Sequence, residues 1–372
     1  MNRAKLSDIV GIINKIAPSA LAEEWDNVGL QVGDTGAEVG RIMVALDPGL
    51  PAIDAAIQNS CQLLLTHHPF IFKPLKKITS GDETGRLIQK AIKSGLAVLS
   101  LHTNYDTAAN GVNDLLAQAL GLQKLSPLRI VRREELLKLV VYMPETHQAA
   151  VMEELLQYAA LQGNYDQCSF TSAGTGTFRP LAGAAPFIGT HGKREAVAES
   201  RFEMLLAKTG LQAALKALYK VHPYEEPAFD IVPLLNEGEA AGIGRIGFLP
   251  EPLSVRDFAA HVKQSLETAS VRIVGDLHRK VTKIAICGGS GMSLLHEAVR
   301  AGADTFVTGD IKYHEAREAE ALGITLIDAG HFATEHLMVA GLSKQLGMEL
   351  NKRKFDAEVL RCSVETDPFV TF

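Results

Sequence analysis

Pairing is what the cysteines of this chain lack: Cys61, Cys168, Cys287 and Cys362 are widely scattered and no C-x-x-C spacing occurs. That excludes a disulfide framework and a thiolate zinc motif, and it suits a reducing compartment, the cytoplasm. A basic excess is also missing. With a net charge of −6 the chain has little with which to displace counterions from phosphates, so nucleic acid is not an expected partner. No apolar run reaches the roughly 20 residues of a membrane span, so no membrane association is expected. The first residues do not read as a secretory signal, because Leu6, Ile9, Ile13 and Ile16 recur at helical spacing between charges until Pro18. Tryptophan occurs once, at Trp25 in the stretch 22–33, which reads as a strand-entry loop anchored by its indole. A hydrophobic content of 47% with 22% charged residues excludes general disorder, and 372 residues favour two or three domains.

The stretch 61–70, Cys-Gln-Leu-Leu-Leu-Thr-His-His-Pro-Phe, organises the rest. Its apolar run reads as a buried strand ending at Thr66, because Pro69 cannot donate to a ladder and restricts His68 to extended geometry. Two imidazoles therefore stand at a strand's carboxyl end, where open α/β sheets bind ligands. If strand alternation continued, His67 and His68 would point apart and serve two different ions. Further strands are expected at 42–46 and 97–101, with helices at 51–58, 84–93 and 111–120. This alternation marks an α/β layer.

The later chain repeats the plan. Residues 42–66 align without a gap to 284–308, so that Gly49 meets Gly291, Ile53 meets Leu295, Ala56 meets Ala298 and Thr66 meets Thr308. His67 and His68 then fall on Gly309 and Asp310. Gly95-Leu-Ala-Val-Leu corresponds to Gly323-Ile-Thr-Leu-Ile, and after a one-residue shift His102 meets His331 and Asp106 lies near Glu335. Self-similarity on this scale implies two related α/β lobes. Between them the texture changes. Strands at 139–142, 169–178, 202–207 and 228–233, with helices at 148–160 and 211–219, give a strand-helix-strand unit twice, the pattern of a ferredoxin-like α+β module. The expected organisation is a first lobe over 1–126, an inserted domain over 127–247 and a second lobe over 248–372, the lobes forming one discontinuous domain. Residues 128–138, with Arg129, Arg132 and Arg133 followed by Glu134 and Glu135, read as a solvated connector.

His102 and Asp106 are four apart, as are His331 and Glu335, so each pair would share one face of a helical turn. Such pairs arise by chance; their position does not, since each follows a repeat-related strand as His67-His68 follows its own. Six potential ligands at equivalent places point to metal. Mixed imidazole and carboxylate donors suit zinc, manganese, iron or cobalt rather than calcium or magnesium. This many donors favours two divalent ions, with Glu335 or Asp106 as a bridging carboxylate, the equipment of a hydrolase.

Taken together, Glu24-Trp25-Asp26-Asn27-Val28-Gly29-Leu30-Gln31-Val32-Gly33, Thr66-His67-His68-Pro69, His102-Thr103-Asn104-Tyr105-Asp106, Thr308-Gly309-Asp310-Ile311-Lys312-Tyr313-His314 and Gly330-His331-Phe332-Ala333-Thr334-Glu335 resemble the NIF-three-like family, whose bacterial members are labelled GTP cyclohydrolase type 2 homologues. The stretch His222-Pro223-Tyr224-Glu225-Glu226-Pro227 is similar to the PII- or CutA-like insert of the longer members. The resemblance implies a dinuclear site on His67, His68, Asp106, His331 and Glu335, with His102 nearby, and a toroidal homohexamer. Zinc is the first choice of ion. The expected activity is hydrolysis of a nucleotide-like or phosphorylated small molecule, with Glu335 and His102 as catalytic candidates. The rival reading is a non-catalytic regulator or metal-delivery scaffold whose insert senses a small effector.

Three further features are expected to be local. Asp310 and His314 could orient ligands or simply start a helix. His222 reads as a rigid turn before a strand. Cys287-Gly288-Gly289-Ser290-Gly291 lacks the Lys of a phosphate loop and reads as a tight strand-to-helix turn.

Overall fold

Leu63–Thr66 is a strand with all four residues buried, and a sheet is built on both sides of it. The computed structural model describes residues 3–370, which form a mixed α/β fold. Contacts divide the chain into two units, Met1–Arg132 with Ala241–Phe372, and Arg133–Ala240. The strands Gln123–Pro144 and Ala228–Ser254 contribute residues to both.

In the first unit, one five-stranded sheet has the order Glu358–Arg361, Arg41–Ala45, Leu63–Thr66, Ala97–Ser100, Gly29–Val32. The first four run parallel, and Gly29–Val32 closes the edge antiparallel. Ile42, Val44, Leu65 and Leu99 pack with Ile9, Ile12, Leu342 and Leu346 on one face. Met43, Leu64 and Val98 pack with Ile53, Ala56, Ile88 and Ala91 on the other. Burial on both faces explains why these strands read as continuous apolar runs rather than alternating ones. The helices Leu6–Ile16, Leu50–Gln58 and Glu83–Lys93 lie within a residue or two of their expected ranges.

The same unit holds a second parallel run, Lys280–Ile286, Thr305–Thr308 and Thr325–Asp328, flanked antiparallel by Arg272–Val274 and by residues 245–254. It too is covered on both faces: Ile284, Val307 and Ile327 meet Phe258 and Val262, while Ala285, Phe306 and Leu326 meet Leu295 and Ala298. No helix among the described residues is long and apolar enough to cross a membrane.

The second unit runs strand, helix, two strands, helix, strand, with the strand order Ala228–Ser254, Gln123–Pro144, Glu195–Ala207, Ser169–Phe178. The helices Gln148–Leu156 and Leu211–Val221 cover one face through Val151, Leu155, Ala214 and Leu218 against Leu139, Val141, Phe202 and Met204. Residues 128–138, expected to be a connector, are instead part of the long strand Gln123–Pro144. Their charges misled because much of that strand faces solvent, where Arg and Glu pair across it, as Arg133 does with Glu237 at 3.2 Å.

Candidate metal centre

The two parallel runs of the first unit end at Thr66 and Thr308, and the cluster is built just beyond them. Thr66 Oγ1 donates to the His68 carbonyl at 2.8 Å, and the backbone N–H groups of His67 and His68 both donate to Leu46 O, at 3.1 and 3.0 Å. The backbone has left the ladder here, so alternation no longer applies: the two rings lie with centroids 5.2 Å apart rather than pointing to opposite sides. His102 caps the short helix Thr103–Thr107, which carries Asp106, and the helix His331–Glu335 carries the second His-acid pair on one turn.

All six sequence candidates converge. His67, with no exposed surface, has Nε2 3.6 Å from Asp106 Oδ1 and 3.7 Å from Glu335 Oε1. Glu335 Oε2 lies 3.1 Å from His68 Nε2 and 3.0 Å from His331 Nε2, and those two nitrogens are 3.4 Å apart. The His102 ring stands edge-on to His67 and His68, with centroids 5.3 and 5.8 Å away. The donor atoms of His67, His68 and His102, and those of His68, His331 and Glu335, form two groups that could each hold an ion, every donor atom within 4.8 Å of the others in its group.

Three of the four imidazoles are oriented by a carboxylate on Nδ1. Asp47 holds His68 at 2.7 Å, Asp310 holds His331 at 2.7 Å and Asp26 holds His102 at 2.9 Å. Such partners fix the tautomer and leave Nε2 free as the donor atom. Asp47 is itself placed by the far end of the chain: Glu365 accepts from the backbone N–H groups of Leu46 and Asp47 at 2.8–3.0 Å. Glycine supplies the clearance. A Cβ on Gly289, whose φ is +61°, would fall 2.1 Å from Glu335 Oε1, and one on Gly309 would fall 2.7 Å from the His331 backbone nitrogen. Gly289 N–H donates to Thr334 Oγ1 at 2.9 Å, which ties this turn to the helix carrying Glu335.

The electrostatics are those of crowded donors. Burial would lower the His67 imidazole, but the Asp106 and Glu335 carboxylates outweigh it and push it up. Burial likewise opposes charge on His68, yet Asp47 and Glu335 hold it up at about 10. His331 is raised to about 9, first by its contact with Glu335 and against the effect of burial. Burial would raise Glu335, but His67, His331 and His68 bring it well below the usual carboxylate range, whereas for Asp106 burial prevails and the shift is upward. Asp26, despite burial, is held at about 2 by His102 and Thr103, so it remains the anion that orients His102.

A divalent cation fits these residues. Both ring nitrogens of His67 and Asp106 Oδ1 are buried with no hydrogen-bond partner among the described residues. Such orphaned groups cost free energy unless something meets them, and imidazole and carboxylate are first-row metal ligands.

Of the remaining features, Asp310 joins the cluster through His331, while exposed His314 stands edge-on to Tyr313. His222 is buried within the second unit, its Nε2–H donating to Tyr142 O at 3.0 Å and its Nδ1 accepting from Tyr224 N–H at 3.1 Å, which locks the turn expected there. The anchoring role expected of Trp25 is wrong: its indole is 57% exposed and stands edge-on to His102 and Phe72. A polar Asp, not the indole, anchors that loop. Asp47, Glu365 and the clearance at Gly289 were not singled out from sequence; the signal available for Asp47 was its place just after a strand end.

A family model described as Duf34/NIF3 (NGG1p interacting factor 3) matches residues 4–368. A Halalkalibacterium halodurans protein named GTP cyclohydrolase 1 type 2 homolog is 41% identical over 370 residues, covering 99% of each chain. A Bacillus subtilis protein of the same name is 40% identical over 362 residues, covering 97% of each. The crystal structure of a Bacillus cereus protein related to NIF3 matches with a TM-score of 0.94 at 39% identity, covering 100% of both chains.

Proposed function

This chain belongs to the Duf34/NIF3 family, and from that premise we propose that it is a dinuclear metal-dependent hydrolase of a nucleotide-like or phosphorylated small molecule. The observation that carries the reading is the set of orphaned buried atoms on His67 and Asp106, facing Glu335 and next to the converging Nε2 atoms of His68 and His331. His67, His68, Asp106, His331 and Glu335 would hold two divalent ions, zinc first among them. Bound there, such ions polarise a substrate oxygen and acidify water.

Glu335 is the bridging candidate, because Oε1 faces His67 while Oε2 faces His68 and His331. His102 has the setting of a proton carrier. Its Nδ1–H donates to anionic Asp26, which leaves Nε2 to take a proton from the attacking side and return it to a leaving group. The burial of His67 and Asp106 keeps bulk water from competing at the inner wall.

The wider architecture is part of the same proposal. The two parallel runs are repeat-related lobes, and Arg133–Ala240 is a ferredoxin-like insert in the chain between them; its strand order supports that reading. Assembly is homohexameric, to be read from mass by light scattering.

Protein purified without chelator or affinity-column metal should carry about two ions per chain. Glu335→Gln should lose most of that metal, together with turnover of GTP or a phosphoester. Metal bound at full stoichiometry with no turnover on a broad panel would instead favour the regulatory or delivery scaffold.

A further inference from the structure

We propose that Trp25 and Phe72 form a stacking platform for a planar ring of the substrate, at the mouth of the metal cluster. This rests on the hydrolase reading above and adds the part of the site that recognises substrate.

Four aromatic side chains connect solvent to the buried donors. Phe72 stands 5.9 Å from Trp25, Trp25 stands 5.9 Å from His102, and His102 stands 5.3 Å from His67, all measured between ring centroids. The two outer rings are open, Trp25 at 57% and Phe72 at 48% exposure, while His67 is sealed. Neither neighbour lies parallel on the indole, the interplanar angles being 66° and 75°, so indole surface remains for a ring that stacks. A molecule placed there would lie one imidazole away from the cluster.

Exposure alone would say nothing, since single apolar residues on a surface are ordinary. The backbone beneath these two is what sets them apart. Asp26, next to Trp25, accepts from His102 Nδ1–H and from the Thr103 N–H at 3.0 Å, and Glu23 N–H donates to Thr103 Oγ1 at 2.9 Å. Asn27 Nδ2–H donates to Ile71 O, and Ile71 N–H donates to Gln31 Oε1 at 2.7 Å, so the residue before Phe72 is braced to the Trp25 loop. Polar residues fix both loops to each other and to the helix of His102 and Asp106, yet each loop presents its aromatic outward. A preorganised pair of exposed rings loses little freedom when a ligand stacks on it.

The test uses the chain's single tryptophan as its own reporter. Full-length, metal-loaded protein is titrated with GTP and ATP, with ribose 5-phosphate and inorganic phosphate as ring-free probes, and fluorescence is read beside calorimetry. The nucleotides should change Trp25 emission saturably and the ring-free probes should not. Trp25→Ala and Phe72→Ala should each weaken nucleotide binding about tenfold or more, with Trp25→Phe restoring most of it and circular dichroism unchanged in all three. Calorimetric binding of nucleotide with an unchanged Kd in both alanine variants would overturn the platform, as would failure of any nucleotide to bind. Metal content separates the two ideas. A platform failure leaves about two ions per chain, whereas metal-free protein whose emission still answers to nucleotide would keep the platform and remove the hydrolase reading.

Discussion

The ends of the two parallel runs solve one problem with their parts exchanged. After Leu63–Thr66 the chain supplies the ring, His68, and the preceding loop supplies its orienting carboxylate, Asp47. After Thr305–Thr308 the chain supplies the carboxylate, Asp310, and the start of the helix His331–Glu335 supplies the ring, His331. Both pairs close to 2.7 Å, and both rings turn Nε2 toward the same oxygen of Glu335. The difference shows that what is held in common is a position beyond a strand end rather than a residue type. At the second run Glu335 and the His331 backbone also pass over Gly289 and Gly309, which leave them clearance.

The sharpest way to break this comparison is to fill that clearance. Gly289→Ala places a Cβ against Glu335 and imposes a left-handed φ on alanine, so we expect loss of most bound metal and a stability loss of about 1–3 kcal/mol. Metal analysis and thermal unfolding check it; retention of full metal would mean that Glu335 is not fixed from this side.

The exchanged carboxylates give the next effect. Asp47→Asn and Asp310→Asn should each weaken metal binding by about 10- to 100-fold, and to a similar extent, because each removes one imidazole's orienting partner. Competition with a chelator measures this. A large loss in one variant with none in the other would break the equivalence of the two ends.

A smaller effect should appear with pH. In chelated protein His68 is raised from the ordinary 6.5 to about 10 and His331 to about 9, so the stability they contribute is present in full below pH 6.5 and is lost as pH rises through 9 and 10. Metal binding needs neutral imidazole and therefore gains in the same direction. The difference in Tm between loaded and chelated protein should widen from pH 6.5 to 9. A constant difference would mean that these imidazoles are not the ones that exchange protons for metal.

The same exchange explains what sequence could and could not reveal. His67 and His68 stand out because an apolar run stops in front of them and Pro69 follows; His331 and Glu335 stand out because the run is repeated. Asp26 carries no such mark, since its partner His102 lies 76 residues away, and Glu365 reaches Leu46 across 319. Isolated carboxylates have no periodicity, and only folding shows which ring they face. Residues 128–138 hid a strand for a related reason: one exposed largely to solvent need not show the apolar run by which buried strands are found. Trp25 misled because a lone indole is usually worth burying, and here polar Asp26 anchors the loop instead.

Anomalous diffraction from crystals of protein purified without chelator tests the central claim most directly. The account predicts two peaks per chain flanking the Glu335 carboxylate, one toward His67 and Asp106 and the other toward His68 and His331, at roughly the 2.0–2.2 Å of metal–ligand bonds. Ordered side chains in their present places with no peak between them, or metal bound only elsewhere on the chain, would contradict it.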